Sequence, residues 1–260
     1  MPVRRPIPAT EPPRTEPGAR FRPLLWPTLF TLPAVLLMLG LGVWQLERLQ
    51  WKAALIAERA ERTHAAPIPL PRQGDDLAAA EYRRVELIGR FRNDRELLLA
   101  ARSHLGVPGY HVVTPLELAD GRQTVLVDRG WVPLARKDPA KRAEGQLAGQ
   151  VTIAGIVRRP LPKGWLVPDN EPAHNVWFWF DLPAMASHAG ITGPLAPVYV
   201  DAVAAPIPGG YPLGGETRIE LPNDHLQYAL TWFALAIVLI VIYLVFHHQR
   251  GRLDLRRRAG

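Results

Sequence analysis

Residues 226–246 carry no charged side chain. Twenty-one residues of helix at about 1.5 Å each span roughly 30 Å, the thickness of a bilayer's hydrocarbon core. A segment of that length and polarity has few soluble alternatives, so it predicts a membrane-spanning helix. Pro222 separates it from the preceding chain, and Asn223 or Asp224 can cap its first turn. His225 therefore stands at the mouth of the helix. Tyr228 and Trp232 follow it one and two turns on, on nearly the same face.

A second apolar run covers residues 24–46 and predicts another span, with Pro27 and Pro33 placed to kink its first half or delay the helix start. It is longer than a signal peptide's apolar region and lacks an A-x-A-like cleavage site, so it reads as an uncleaved anchor. Arg4-Arg5 lies too far upstream of it to read as a twin-arginine signal. Leu46, Leu49, Ala53 and Ile56 keep helical spacing among charged neighbours, which extends the helix as an amphipathic segment to about residue 62. Pro67, Pro69 and Pro71 mark residues 63–81 as an extended linker.

The charge map orients the two spans. The formal charge is +7. Residues 1–23 hold five Arg and two Glu, and residues 247–260 hold five Arg and one Asp, so the whole excess lies in the tails. By the positive-inside rule both tails are cytoplasmic and the neutral middle is outside, in a bacterium the periplasm. Residues 1–23, rich in Pro and Arg, read as a disordered basic tail. A neutral middle also removes the case for nucleic-acid binding that a pI near 10.1 would otherwise make.

Residues 82–221 switch to a period of two. Strand signals recur at short intervals, and Asp120-Gly121 marks a hairpin between residues 111–118 and 124–131. Residues 177–181, 198–203 and 217–221 read as further strands, with a short helix near 184–189. Residues 135–149 read as a charged surface excursion. Trp177 and Trp179 should share one sheet face. The fold expected is thus two transmembrane α-helices flanking an antiparallel β-rich domain, barrel- or sandwich-like and extracytoplasmic.

Cysteine is absent, which excludes disulfides and thiolate chemistry. No hydrolase, metalloprotease or phosphate-loop motif occurs, and Ser103 and Ser187 have no nucleophile context, so no enzyme is expected. His104, His111, His174 and His188 lack metal-ligand spacing. His247-His248 abuts the basic tail as an interfacial pair.

Four stretches together resemble one family. They are Gly42–Lys52 (GVWQLERLQWK), Tyr82–Val85 with Gly89 and Phe91, the hairpin Gly109–Leu116 with Val125–Pro133, and Asn223–Phe233 (NDHLQYALTWF). In this order between two spans they are similar to the Surfeit locus protein 1 family. Asp128 stands where that family more often has Asn. The resemblance implies a factor that assists assembly of cytochrome c oxidase and helps supply haem a to the catalytic subunit. That subunit and haem a synthase are the partners it suggests, alongside the bilayer. It also implies that His225 is the candidate haem ligand. A neutral imidazole can ligate haem iron, and an interfacial histidine capping its helix is the competing reading. Tyr228 and Trp232 would then flank the ring, or else form an aromatic belt. On the chain's topology Gln45 and Arg48 emerge at the same membrane face as His225, where Arg48 or Lys52 could meet haem propionates or snorkel to headgroups. The competing function is a scaffold that stabilises an oxidase subunit and carries no haem.

Overall fold

The computed structural model describes residues 21–217 and 221–253. They form two compact units. The first comprises the helical residues up to Ala53 and from Pro222 onward; the second runs from Ala54 to Leu221. The expected basic tail and the expected strand at 217–221 lie mostly outside the described residues.

In the first unit two helices pair. α1 runs Leu25–His64 and α4 runs His225–Gln249, and both are long and apolar enough to cross a membrane. Pro33 does not interrupt α1. It lies on an exposed face of an apolar helix, where the lost backbone bond opens no gap against α4. Small residues set the pairing. Ala229 and Ala236 are fully buried, and a Cβ added at Gly42 would fall 2.5 Å from the Phe233 ring. Gly40, the other glycine of this turn, meets nothing. The sides turned away from the partner helix hold mostly Leu, Ile and Val, which suits contact with lipid tails.

The second unit is a barrel. Its strands are β1 (Arg84–Phe91), β2 (Leu97–His104), β3 (Val107–Leu118), β4 (Thr124–Pro133), β5 (Gln150–Arg158), β6 (Val176–Trp177) and β7 (Leu195–Ala202). Five of them close in the order β1-β5-β7-β4-β3, with β3 returning to β1. Closure depends on the length of β3. Its last residues pair with β1, while its first half pairs with β2, which in turn carries β6 outside the ring. The Asp120-Gly121 hairpin forms as expected, Gly121 adopting φ +67°. Pairing is antiparallel except for β4–β7 and β2–β6. β7 runs parallel to β4 because the chain reaches it through a crossover that contains α3 (Leu182–Ala189).

Two cores share β4. Val125 and Val127 point into the barrel with Val85, Leu87, Phe91, Val157 and Val198. Leu126 points outward, into a second core with Leu97, Leu99, Trp177 and Met185 beneath α3. A strand buried on both faces explains the near-continuous apolar run. Trp177 is 0 % exposed. Trp179 is not on its sheet face, because β6 ends at Trp177. There the Asn170 side chain accepts the Phe178 and Trp179 amide hydrogens and turns the chain.

The linker and the excursion are both held down. α2 (Leu77–Ala80), capped by Asp76, interrupts the linker, and Ile68 and Leu70 pack on the barrel core. The segment 135–149 is not simply a surface loop. Arg142 is buried and makes two bonds to the Glu96 carboxylate, at 3.0 and 2.6 Å. Arg129 is buried beside them, donating to Asn93 and to the Gly145 carbonyl. Burial lowers the Arg129 pKa to about 10, Glu96 opposing the shift and Arg142 adding to it.

Candidate functional site

His225 opens α4, and its face of the helix is the one turned to α1. Taking about 100° per residue, Ala229, Trp232, Ala236, Tyr243 and His247 recur within about 40° of it. Two of the sequence-predicted site residues meet directly: His225 Nδ1 lies 2.6 Å from Gln45 Oε1. An amide oxygen only accepts, so Nδ1 donates to it, and in the neutral imidazole Nε2 then holds a lone pair. None of the described residues hydrogen-bonds Nε2. Half-buried and held through Nδ1 by a neighbour, this imidazole presents its other nitrogen away from the hydrogen bond. Asn223 ties the same end, donating to the Leu49 carbonyl at 3.5 Å.

The other named residues are less tightly gathered. Trp232 is half-buried, and Tyr228 is 56 % exposed on a flank of α4. Arg48 points outward and stacks on Trp51, its guanidinium 4.3 Å from the ring centroid. Its charge is left without a carboxylate partner among the described residues. Among the described residues the space between the helices is filled: Gly42 lies against Phe233, and Ala229 and Ala236 are closed over. A flat ring ligated by His225 would have to lie on the outer flank, along Tyr228. Among the described residues no three His, Cys, Asp or Glu side chains converge as a metal site.

The barrel holds a second polar cluster, which single-sequence reading missed. A cavity of about 360 Å³ is lined by His111, Asp128, Arg158, Tyr199, Asp201 and Glu216, among others. His111 Nδ1 lies 2.8 Å from Asp128, whose other oxygen accepts the Gly130 amide hydrogen. Asp201 accepts from Arg158 at 3.1 Å and from Thr217 at 2.9 Å. Burial and the neighbouring Asp128 carboxylate raise the Asp201 pKa to about 6, against the pull of Arg158 and Thr217. Burial likewise pushes the Tyr199 phenol up. Asp128 and Asp201 are neighbours only because β4 and β7 pair in that register.

The comparisons with known proteins bear on the whole of this arrangement. The SURF1 family model matches residues 32–237. The chain belongs to the SURF1 family. It is 39% identical over 239 residues to the SURF1-like protein of Monosiga brevicollis, covering 88% of each chain. To Surfeit locus protein 1 of Mus musculus it is 40% identical over 222 residues, 80% of this chain and 70% of that one. To Surfeit locus protein 1 of Homo sapiens it is 39% identical over 213 residues, 76% of this chain and 69% of that one. The SURF1 match includes Gln45, Arg48, His225, Tyr228 and Trp232, and it ends before His247.

Proposed function

We propose that this protein is an assembly factor for haem-copper cytochrome c oxidase, one that holds haem a through His225 and hands it to the catalytic subunit. It works in a bacterial inner membrane, with both termini cytoplasmic and the barrel periplasmic. The observation that carries the reading is the Gln45–His225 pair, which engages Nδ1 and leaves Nε2 without a partner among the described residues at the helix mouth. Haem a is cargo here and supplies its own iron chemistry. The protein's part is to orient one imidazole, to offer apolar surface beside it at Tyr228 and Trp232, and to place the Arg48 cation where propionates could reach. If haem a binds here, His225 would supply an imidazole ligand to its iron.

The closed packing between α1 and α4 favours a second reading, a scaffold that steadies an oxidase subunit and carries no haem. Purification after co-expression with haem a synthesis separates the two. The carrier predicts a stoichiometric haem spectrum that His225→Ala abolishes and Gln45→Ala weakens. A haem-free protein, or a spectrum unchanged in His225→Ala, leaves the scaffold.

A further inference from the structure

The loop after β5 ends in an exposed apolar tip. Val167 donates its amide hydrogen to the Gly164 carbonyl at 3.0 Å, closing a turn whose two central residues are Trp165 and Leu166. Trp165 is 90 % exposed and Leu166 74 %, and Leu161 in the same loop is also exposed. The turn is not a loose end. Asn170 fixes its base by accepting from Phe178 and donating to the Trp179 carbonyl. Holding a tryptophan and a leucine out in water costs solvation, and rigid presentation makes the exposure a feature of the fold.

The place where this loop leaves the barrel tells what covers it. The chain enters and leaves the second unit at one patch. Arg59, on the entering helix, stacks on Tyr82 at 4.7 Å, and Arg158 stacks on the same ring at 4.9 Å. Arg158 bonds Asp201, and Asp201 accepts from Thr217, on the leaving chain. Arg159, where the loop begins, bonds Glu81 beside Tyr82. Both tethers and the loop therefore start within one contiguous cluster. The tethers are short. Thirteen residues separate Leu46 from Arg59, about 20 Å of helix. Eight separate Thr217 from His225, at most about 28 Å of extended chain.

We propose that Leu161, Trp165 and Leu166 form a third membrane contact, seated in the headgroup region of the bilayer that α1 and α4 span. Tryptophan prefers that depth because its ring is apolar and its N–H is not. Of the loop's two carboxylates, Asp169, three residues from the tip, is paired with Lys163, and Glu171 lies farther back beside His174, next to β6. The proposal rests on the membrane-spanning reading of the two helices.

The chain has no cysteine, which makes site-directed spin labelling direct. The full chain in phosphatidylcholine or phosphatidylglycerol vesicles would carry one label, by Trp165→Cys, Leu161→Cys, Leu105→Cys or Leu230→Cys. Leu105, 91 % exposed at the β2–β3 turn, is the aqueous reference, and Leu230 on α4 is the immersed one. Collision rates with oxygen and with a water-soluble nickel chelate give depth. The expected oxygen-to-nickel ratio at 165 and 161 is severalfold above that at 105, in both lipids, since apolar contact drives it. An aqueous ratio at both 165 and 161, with 230 immersed, overturns the loop contact and points to a protein covering the tip. An aqueous ratio at 230 overturns the membrane reading itself.

Discussion

The two ends of the helix pair carry a histidine each, and the histidines behave differently. His225 and His247 lie on the same face of α4, six turns apart, and both bond across to α1 or to their own helix. His247 uses both nitrogens: Nε2 accepts the Leu24 amide hydrogen at 3.0 Å, and Nδ1 donates to the Tyr243 carbonyl at 2.8 Å. It is 0 % exposed, and Phe21, Tyr243 and Phe246 surround its ring. Beside it Tyr243 and Thr28 share a hydroxyl bond of 2.6 Å. His225 uses one nitrogen. A saturated imidazole closes a structure, whereas one with a free lone pair can still bind something. Residue type and helix face are the same at both ends, so the difference lies in what surrounds each ring: His247 has a helical carbonyl one turn earlier and the Leu24 amide opposite, whereas His225 opens the helix and its ring bonds only Gln45 among the described residues.

The comparison can be broken at its hinge. Gly42→Leu would drive a side chain into the Phe233 ring, and overpacking of this kind costs about 3 kcal/mol. A thermal melt in detergent should show the loss, and a Cys pair placed at 45 and 225 should no longer cross-link. His247→Ala strands the Leu24 amide hydrogen in an apolar setting, at a cost of about 2 kcal/mol. The same melt would read it, and haem content should not move. Asp201 sharpens the contrast from the barrel, where a carboxyl and not an imidazole is shifted. Its pKa is raised to about 6 in the fold, so the protonated form is favoured there. That contribution is fully present below about pH 4 and is lost as pH rises through about 6. Asp201→Asn should flatten this part of the pH–stability curve. His225→Ala should have the smallest effect on stability, under about 1 kcal/mol, because only a half-buried bond to Gln45 is lost. Its effect belongs in the haem spectrum.

The ion pairs of the barrel teach the same lesson on a larger scale. From sequence, residues 135–149 look like solvated surface, since their charge is high and no apolar period runs through them. Arg142 is nonetheless buried, because Glu96, 46 residues earlier, supplies two acceptors in a matching geometry. The linker residues Ile68 and Leu70 were equally illegible. Prolines announce an extended chain, but only the barrel's surface decides whether it lies down. Thr114, Leu126 and Trp131 were readable as strand residues; that β4 is buried on both faces was not, since the outer core comes from β6 and α3.

The sequence by itself determined the two spans, the switch from helical to strand period near residue 82, and the Asp120-Gly121 hairpin. These are local matters: hydrophobic length, periodicity and turn chemistry act over a few residues and leave their mark in order along the chain. It also placed His225 at a helix mouth. Only the tertiary structure decided that the sheet closes, through the reach of β3 back to β1. It alone set Gln45 against His225, 180 residues apart, and Asp128 beside Asp201. Such pairings depend on strand register and helix packing, which are fixed by the summed fit of many side chains and are written at no single position.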